Sequence, residues 1–82
     1  MLLEFRDDLG NVYQCFEDHV ASGTAKIEYK NISKVSFKAP SFLTGGRIEL
    51  VTVTGPVYIT WKSKAKNGEA EAVYNLIKSK VG

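Results

Sequence analysis

The sequence is short of almost everything from which a catalytic or metal centre is built. It holds one cysteine, Cys15, and one histidine, His19. One cysteine cannot close an internal disulfide, and a lone thiol in so small a chain points to a reducing compartment. A metal site on His19 would need further Cys or His ligands at suitable spacing, and Cys15 alone supplies one. No stretch approaches the ~18 apolar residues of a membrane-spanning helix. The first residues, Met-Leu-Leu-Glu-Phe-Arg-Asp-Asp, meet charge at Glu4 and lack the apolar run of a signal peptide. The default location on these grounds is the cytoplasm. Gly and Pro together make up 9 of 82 residues, too few for a linker or low-complexity chain. Nor does a phosphate-binding glycine motif occur. Gly45-Gly46 follows a loop and precedes a strand, the reverse of the strand-to-helix order such a motif requires, and reads as a turn needing positive φ.

What is present is an ordinary globular composition, 44% hydrophobic and 24% charged, in a length that allows one domain, residues 1–82. Net charge is only +2, but it is unevenly spread: residues 1–25 carry −4 and residues 26–82 carry +6. Such polarity can steer an anionic partner, although folding mixes the two halves on one surface. A pI of about 8.7 is a weaker basic excess than nucleic-acid binding usually shows, so nucleic acid is not favoured as a partner.

Alternation marks the strands. Lys26-Ile27-Glu28-Tyr29-Lys30 and Lys34-Val35-Ser36-Phe37-Lys38 place charges on one parity and apolar residues on the other, as half-buried antiparallel strands do. Asn31-Ile32-Ser33 links them, with Ile32 pointing inward. Strands are expected at about 2–6, 12–20, 25–30, 34–38, 47–54 and 57–62. The 12–20 stretch has mixed parity, consistent with a bulge or two covered faces, and the apolar parity of 47–54 flips between Leu50 and Val51, which suggests a bulge or exposure of one end. Asp7-Asp8-Leu9-Gly10-Asn11, Ala21-Ser22-Gly23 and Thr54-Gly55-Pro56 are turns by composition.

After residue 62 the period changes. Val73, Leu76, Ile77 and Val81 recur at helical spacing, Asn67 suits an N-cap, Glu69 and Glu71 fall in the first turn, and Lys78 and Lys80 lie in the last, where the helix dipole favours cations. A helix is expected over about 68–81. A mostly-β chain with one terminal helix predicts a strongly bent antiparallel sheet or open barrel of about six to seven strands, capped by that helix.

This order of elements resembles that of a pleckstrin-homology-like domain. The Ile27-x-Tyr29 strand end, Ile32 in the link, Val35-x-Phe37, the Gly46-Arg47-Ile48 strand opening and the Asn67-to-Ile77 helix look like the bacterial members of unknown function often found beside SHOCT-type segments. The likeness covers about residues 24–81. It implies a binding or assembly role, since relatives in the wider superfamily bind lipid headgroups, peptides or proteins and some form ring-like oligomers. Phosphoinositide-binding members place basic residues around the first hairpin turn. Here that turn carries Asp7 and Asp8, which argues against a specific headgroup site.

No catalytic residue is expected. On a strand, His19 and Asp18 would project to opposite faces and form no dyad, and neither a cofactor nor a small-molecule substrate is announced by any motif. The candidate binding residues are Phe42 and Leu43, apolar on the 39–46 loop, with Arg47, Lys62, Lys64 and Lys66 as a basic set joined by Lys26–Lys38. Protein–protein or self-association through a sheet edge and this loop is the first expectation. Docking on an anionic membrane through the lysine-rich face is the second.

Overall fold

Alternating runs end where turn chemistry interrupts them, and this sets the element order. The computed structural model describes residues 1–41 and 43–81. Four short strands, β1 (Leu3–Arg6), β2 (Val12–Cys15), β3 (His19–Ser22) and β4 (Ala25–Glu28), form an antiparallel meander in that order. A 3-10 turn, Tyr29–Asn31, leads to a second antiparallel sheet of β5 (Ile32–Lys38), β6 (Gly46–Thr52) and β7 (Gly55–Trp61). A second 3-10 turn, Lys64–Lys66, runs into the single helix α1 (Asn67–Lys80). The fold is thus mostly β with a C-terminal helix. The strands divide into two separate sheets that do not close into a barrel, where one continuous bent sheet or open barrel was expected.

Several local expectations need correction. Residues 12–20 are not one strand: Phe16, Glu17 and Asp18 make a turn, closed by the Phe16 amide donating to the His19 carbonyl at 2.7 Å. The mixed parity arises because two strands of opposite direction meet there. The parity flip at Leu50 is not a bulge in β6, whose register with β7 runs unbroken from Gly46↔Trp61 to Thr52↔Gly55. Leu50 points inward and Val53 lies exposed in the turn, so of the two readings of the flip it is exposure of one end that holds. The irregularity falls instead on β5, between Ile32 and Lys34. Asn67 is the first helical residue and not the cap. Ser63 supplies the capping oxygen for the 3-10 turn ahead of it, accepting from the Ala65 amide at 3.2 Å.

The core lies between the sheets and the helix. Phe5, Tyr13, Cys15 and Val20 come from the first sheet, Ile48, Leu50, Ile59 and Trp61 from the second, and Ala70, Val73 and Ile77 from α1. Full burial of each large apolar side chain contributes about 1.5–3 kcal/mol. Trp61 is the junction. Its ring meets Phe5 edge-on at 5.9 Å and Phe37 at 5.6 Å, and Phe37 continues to Tyr74 of α1 at 5.4 Å. Its indole N–H donates to the Asn67 Oδ1 at 2.7 Å, so the residue expected to cap the helix instead fixes the tryptophan.

Candidate functional site

One end of the molecule gathers the β1–β2 turn, the start of β6 and the end of β7. The β1–β2 turn is shaped by its own side chains. Asp7 is buried, and its carboxylate accepts from the Leu9 amide at 2.9 Å, the Asn11 amide at 2.8 Å and the Asn11 side-chain amide at 2.9 Å. Burial pushes the Asp7 carboxyl up, but the bonds from Asn11, Leu9 and Gly10 outweigh it and hold it below its ordinary value. Asp8 reaches across to β7: its Oδ2 accepts from the amides of Lys62 and, at 3.0 Å, Ser63. Those two bonds, with Lys66 nearby, keep the Asp8 carboxyl below its usual range. Both acids of the turn are therefore structural. Asp7 folds the turn on itself and Asp8 ties it to the end of the second sheet, and the turn is displayed with Leu9 at its tip.

The 39–46 loop arrives at the same end. Ser41 organises it: its amide donates to the Thr44 carbonyl at 2.8 Å, while its hydroxyl receives the amides of Leu43 and Thr44. Gly45 and Gly46 then pass tight over Trp61. A Cβ on Gly46 would stand 2.5 Å from two atoms of the indole, and one on Gly45 would stand 2.6 Å from the Trp61 carbonyl oxygen. These glycines serve close approach and not positive φ, which among the described residues is confined to Gly10, Gly23 and Gly55. The loop thus packs onto the indole, leaving Leu43 pointing away.

Between these segments lies a cleft of about 240 Å³ lined by Asp8, Leu9, Gly46, Arg47, Trp61 and Lys62 among others. Leu9 is 84% exposed and Leu43 85%. Of the candidate residues, Arg47 and Lys62 line the cleft, Leu43 stands two residues from its Gly45 wall, and Lys64 and Lys66 follow in the 3-10 turn. Phe42 lies outside the described residues. The expected basic face is only partly assembled. Lys34, Lys38 and Arg47 share the outer face of the second sheet, with Lys38 directly opposite Arg47, whereas Lys26 sits on β4 and Lys30 in the first 3-10 turn. Like charges directly opposite destabilise a sheet, and Glu49, two residues from Arg47 on the same face, is the carboxylate beside the Lys38–Arg47 pair. The ion pairs among the described residues are Glu28–Lys30 and Glu17–Lys80, and neither these nor the Asp18–His19 contact engages Arg47, Lys62, Lys64 or Lys66. Arg47 lies over the Tyr58 ring at 5.6 Å.

His19 and Asp18 do meet, against expectation: His19 Nδ1 lies 2.6 Å from Asp18 Oδ1 because Asp18 belongs to a turn. The imidazole also stacks on Phe16 at 4.7 Å. That hydrogen bond holds the Asp18 carboxyl below its ordinary value. No nucleophile adjoins the pair, since Cys15 is buried in the core and burial pushes its thiol up to about 11. Among the described residues no three of His, Cys, Asp and Glu converge as a metal would need, and no helix is long and apolar enough to cross a membrane.

Leu9 was not singled out by sequence reasoning. Its signal was available: a large apolar residue inside Asp-Asp-Leu-Gly-Asn, where turn chemistry leaves nowhere to bury it. No family model, curated protein or solved structure matches this chain.

Proposed function

We propose that this chain is a non-enzymatic binding module of pleckstrin-homology-like architecture, docking another polypeptide at the end formed by the β1–β2 turn, the 39–46 loop and the β6–β7 margin. One observation carries the reading. Leu9, more than four-fifths exposed, lines a cleft whose rim holds Arg47 and Lys62, and Leu43, equally exposed, stands two residues along the chain from its Gly45 wall; among the described residues neither cation is in an ion pair. Apolar side chains held out on tightly bonded turns cost solvation in the free chain, and the unpaired cations beside them select for an acidic neighbour. A partner surface that alternates apolar and acidic groups satisfies both.

The test is a titration of the whole chain with blocked peptides. One alternates valine and glutamate, and its control alternates valine and lysine. Trp61, the single tryptophan, lines the cleft and reports occupancy by fluorescence. Saturable binding of the acidic peptide, weakened by Leu43→Asp and by Arg47→Glu, supports the reading. So does a sedimentation mass above monomer that falls to monomer in Leu43→Asp. Recovery with phosphatidylserine vesicles, without peptide binding or self-association, replaces the reading with membrane docking. Equal indifference to peptides, vesicles and self sinks it.

A further inference from the structure

Of the four strands at sheet edges, β1, β4 and β5 each carry charged side chains, the usual protection of an open edge: Glu4 and Arg6, Lys26 and Glu28, Lys34 and Lys38. The fourth, β7, reads Gly-Pro-Val-Tyr-Ile-Thr-Trp and carries none. Its register fixes which backbone groups face outward. The β6–β7 hairpin closes at Thr52↔Gly55, so Gly55, Val57, Ile59 and Trp61 bond to β6, and the alternate residues turn their amides and carbonyls to the open side. Asp8 verifies this parity, because its carboxylate takes the outward Lys62 amide. Pro56 has no amide to offer and blunts the hairpin end. Between Pro56 and the Asp8 contact, Tyr58 and Thr60 present donor and acceptor pairs that no strand meets. Both residues are exposed on the outer face, Tyr58 at 44%.

We infer that this edge receives an extended peptide as an added antiparallel strand, paired to the backbone of Tyr58 and Thr60 and halted by the β1–β2 turn. The inference rests on the docking role proposed above and names its geometry and its partner chemistry. The alternation of a strand decides the side chains. On one face of the incoming strand, residues stand beside Tyr58, Thr60 and Lys62; Glu49 lies in register behind Tyr58 and Arg47 behind Thr60, so acidic side chains fit at the Thr60–Lys62 end of that face. On the other face they approach the Trp61 and Leu9 side of the cleft, which takes apolar side chains. Asp8 already does for Lys62 what the peptide does for Tyr58 and Thr60: it places an acceptor on the outward amide that follows them, and takes the Ser63 amide as well where the chain leaves the strand.

The probe is the blocked valine–glutamate hexapeptide, compared with the same peptide N-methylated at alternate residues so that its pairing amides are removed. On the wild-type chain the parent peptide slows hydrogen exchange at the Tyr58 and Thr60 amides, and the N-methylated peptide binds at least about tenfold more weakly. Thr60→Pro removes the central amide and lowers affinity likewise, with circular dichroism confirming that the variant folds; the N-methyl comparison does not depend on it. If both peptides bind equally, with Leu43 and Arg47 still required and the two amides still exchanging freely, the added strand is wrong and the docking end stands. If neither peptide binds, the added strand is wrong, and if the chain also fails to self-associate the docking end falls with it; protection that maps away from this end overturns both. Slowed exchange at β4 or β5 in place of β7 also overturns the inference.

Discussion

Every strand of the first sheet, β1 to β4, is four residues long, whereas β5, β6 and β7 each run seven. The long sheet holds its shape by burial. Ile48, Leu50, Ile59 and Trp61 line its inner face, and α1 covers β5 and part of β6 while also reaching β1 of the short sheet, whose Phe5, Cys15 and Val20 are buried too. The short sheet has fewer ladder bonds per strand and leans on polar turns: Asp7 folding the β1–β2 link, Asp18 with His19 at the β2–β3 link, and Tyr29 donating its hydroxyl to the Phe16 carbonyl at 2.8 Å. The difference teaches where tolerance lies. A sheet made by burial fails through cavities and overpacking, and a sheet made by turns fails through lost hydrogen bonds and through acid. The candidate site sits where the two meet, its cleft lined by the turn of one and the strand ends of the other.

Trp61→Ala is the largest blow, because this ring touches both sheets. The loss is expected at about 3–5 kcal/mol, a large share of the stability of so small a domain. The urea midpoint should fall far or the chain should fail to fold, and both sheets should lose exchange protection together. If the first sheet kept its protection while the second melted, the ring would not be the joint described. Gly46→Ala comes next. Its Cβ collides with the indole, so about 1–3 kcal/mol of overpacking is expected. Gly68→Ala in α1 is the matched control: nothing lies near its added Cβ, and the change should stabilise by about 0.5–1 kcal/mol. Thermal melts of the two variants should move in opposite directions.

These pairs also locate what the sequence could convey. The alternation of Val35 and Phe37 and the helical spacing of Val73 and Ile77 are properties of side-chain type, so the second sheet and α1 are readable directly. The turn at Phe16–Asp18 contains neither Gly nor Pro, and its hairpin is written in backbone bonds and in Tyr29, thirteen residues away from Phe16. Local pattern carries no trace of that. The same holds at the candidate site. Leu43, Arg47 and Lys62 announce themselves as an apolar loop residue and two bases. The Asp8 bond to the Lys62 amide spans 54 residues, and it brings the β1–β2 turn against Arg47 and Lys62 to form the cleft. The acidic turn was legible as charge but not as a structural latch.

Acid separates the sheets next. Asp7, Asp8 and Asp18 all have carboxyls held below their ordinary value, and all three belong to the turns of the first sheet. A depressed folded-state pKa contributes stability that is fully present above the unfolded value, about 3.9, and is lost as pH falls through the lower folded value. Amides at β1–β3 should therefore lose exchange protection below about pH 4 before those of β6 do. Parallel loss in both sheets would break the comparison. Tyr29→Phe strikes one of the same props at neutral pH. It removes the bond to the Phe16 carbonyl but keeps the buried ring, so a loss of about 1 kcal/mol is expected, with faster exchange concentrated at β2 and β3.

The smallest expected stability effect is at the candidate site itself. Leu9→Ser and Leu43→Ser alter side chains that contact little and lie outside both sheets, so each should move the unfolding free energy by no more than about 0.5 kcal/mol in either direction. The turns that carry them are held by Asp7 and Ser41, which remain. Affinity for the acidic peptide should fall in the same variants, because each exposed leucine contributes apolar area only once a partner covers it. A residue kept for folding shows the reverse pattern, as Trp61 does. If Leu43→Ser lowered the urea midpoint as far as Gly46→Ala does, the leucine would belong to the fold, and the exposed end would lose its claim to be a docking surface.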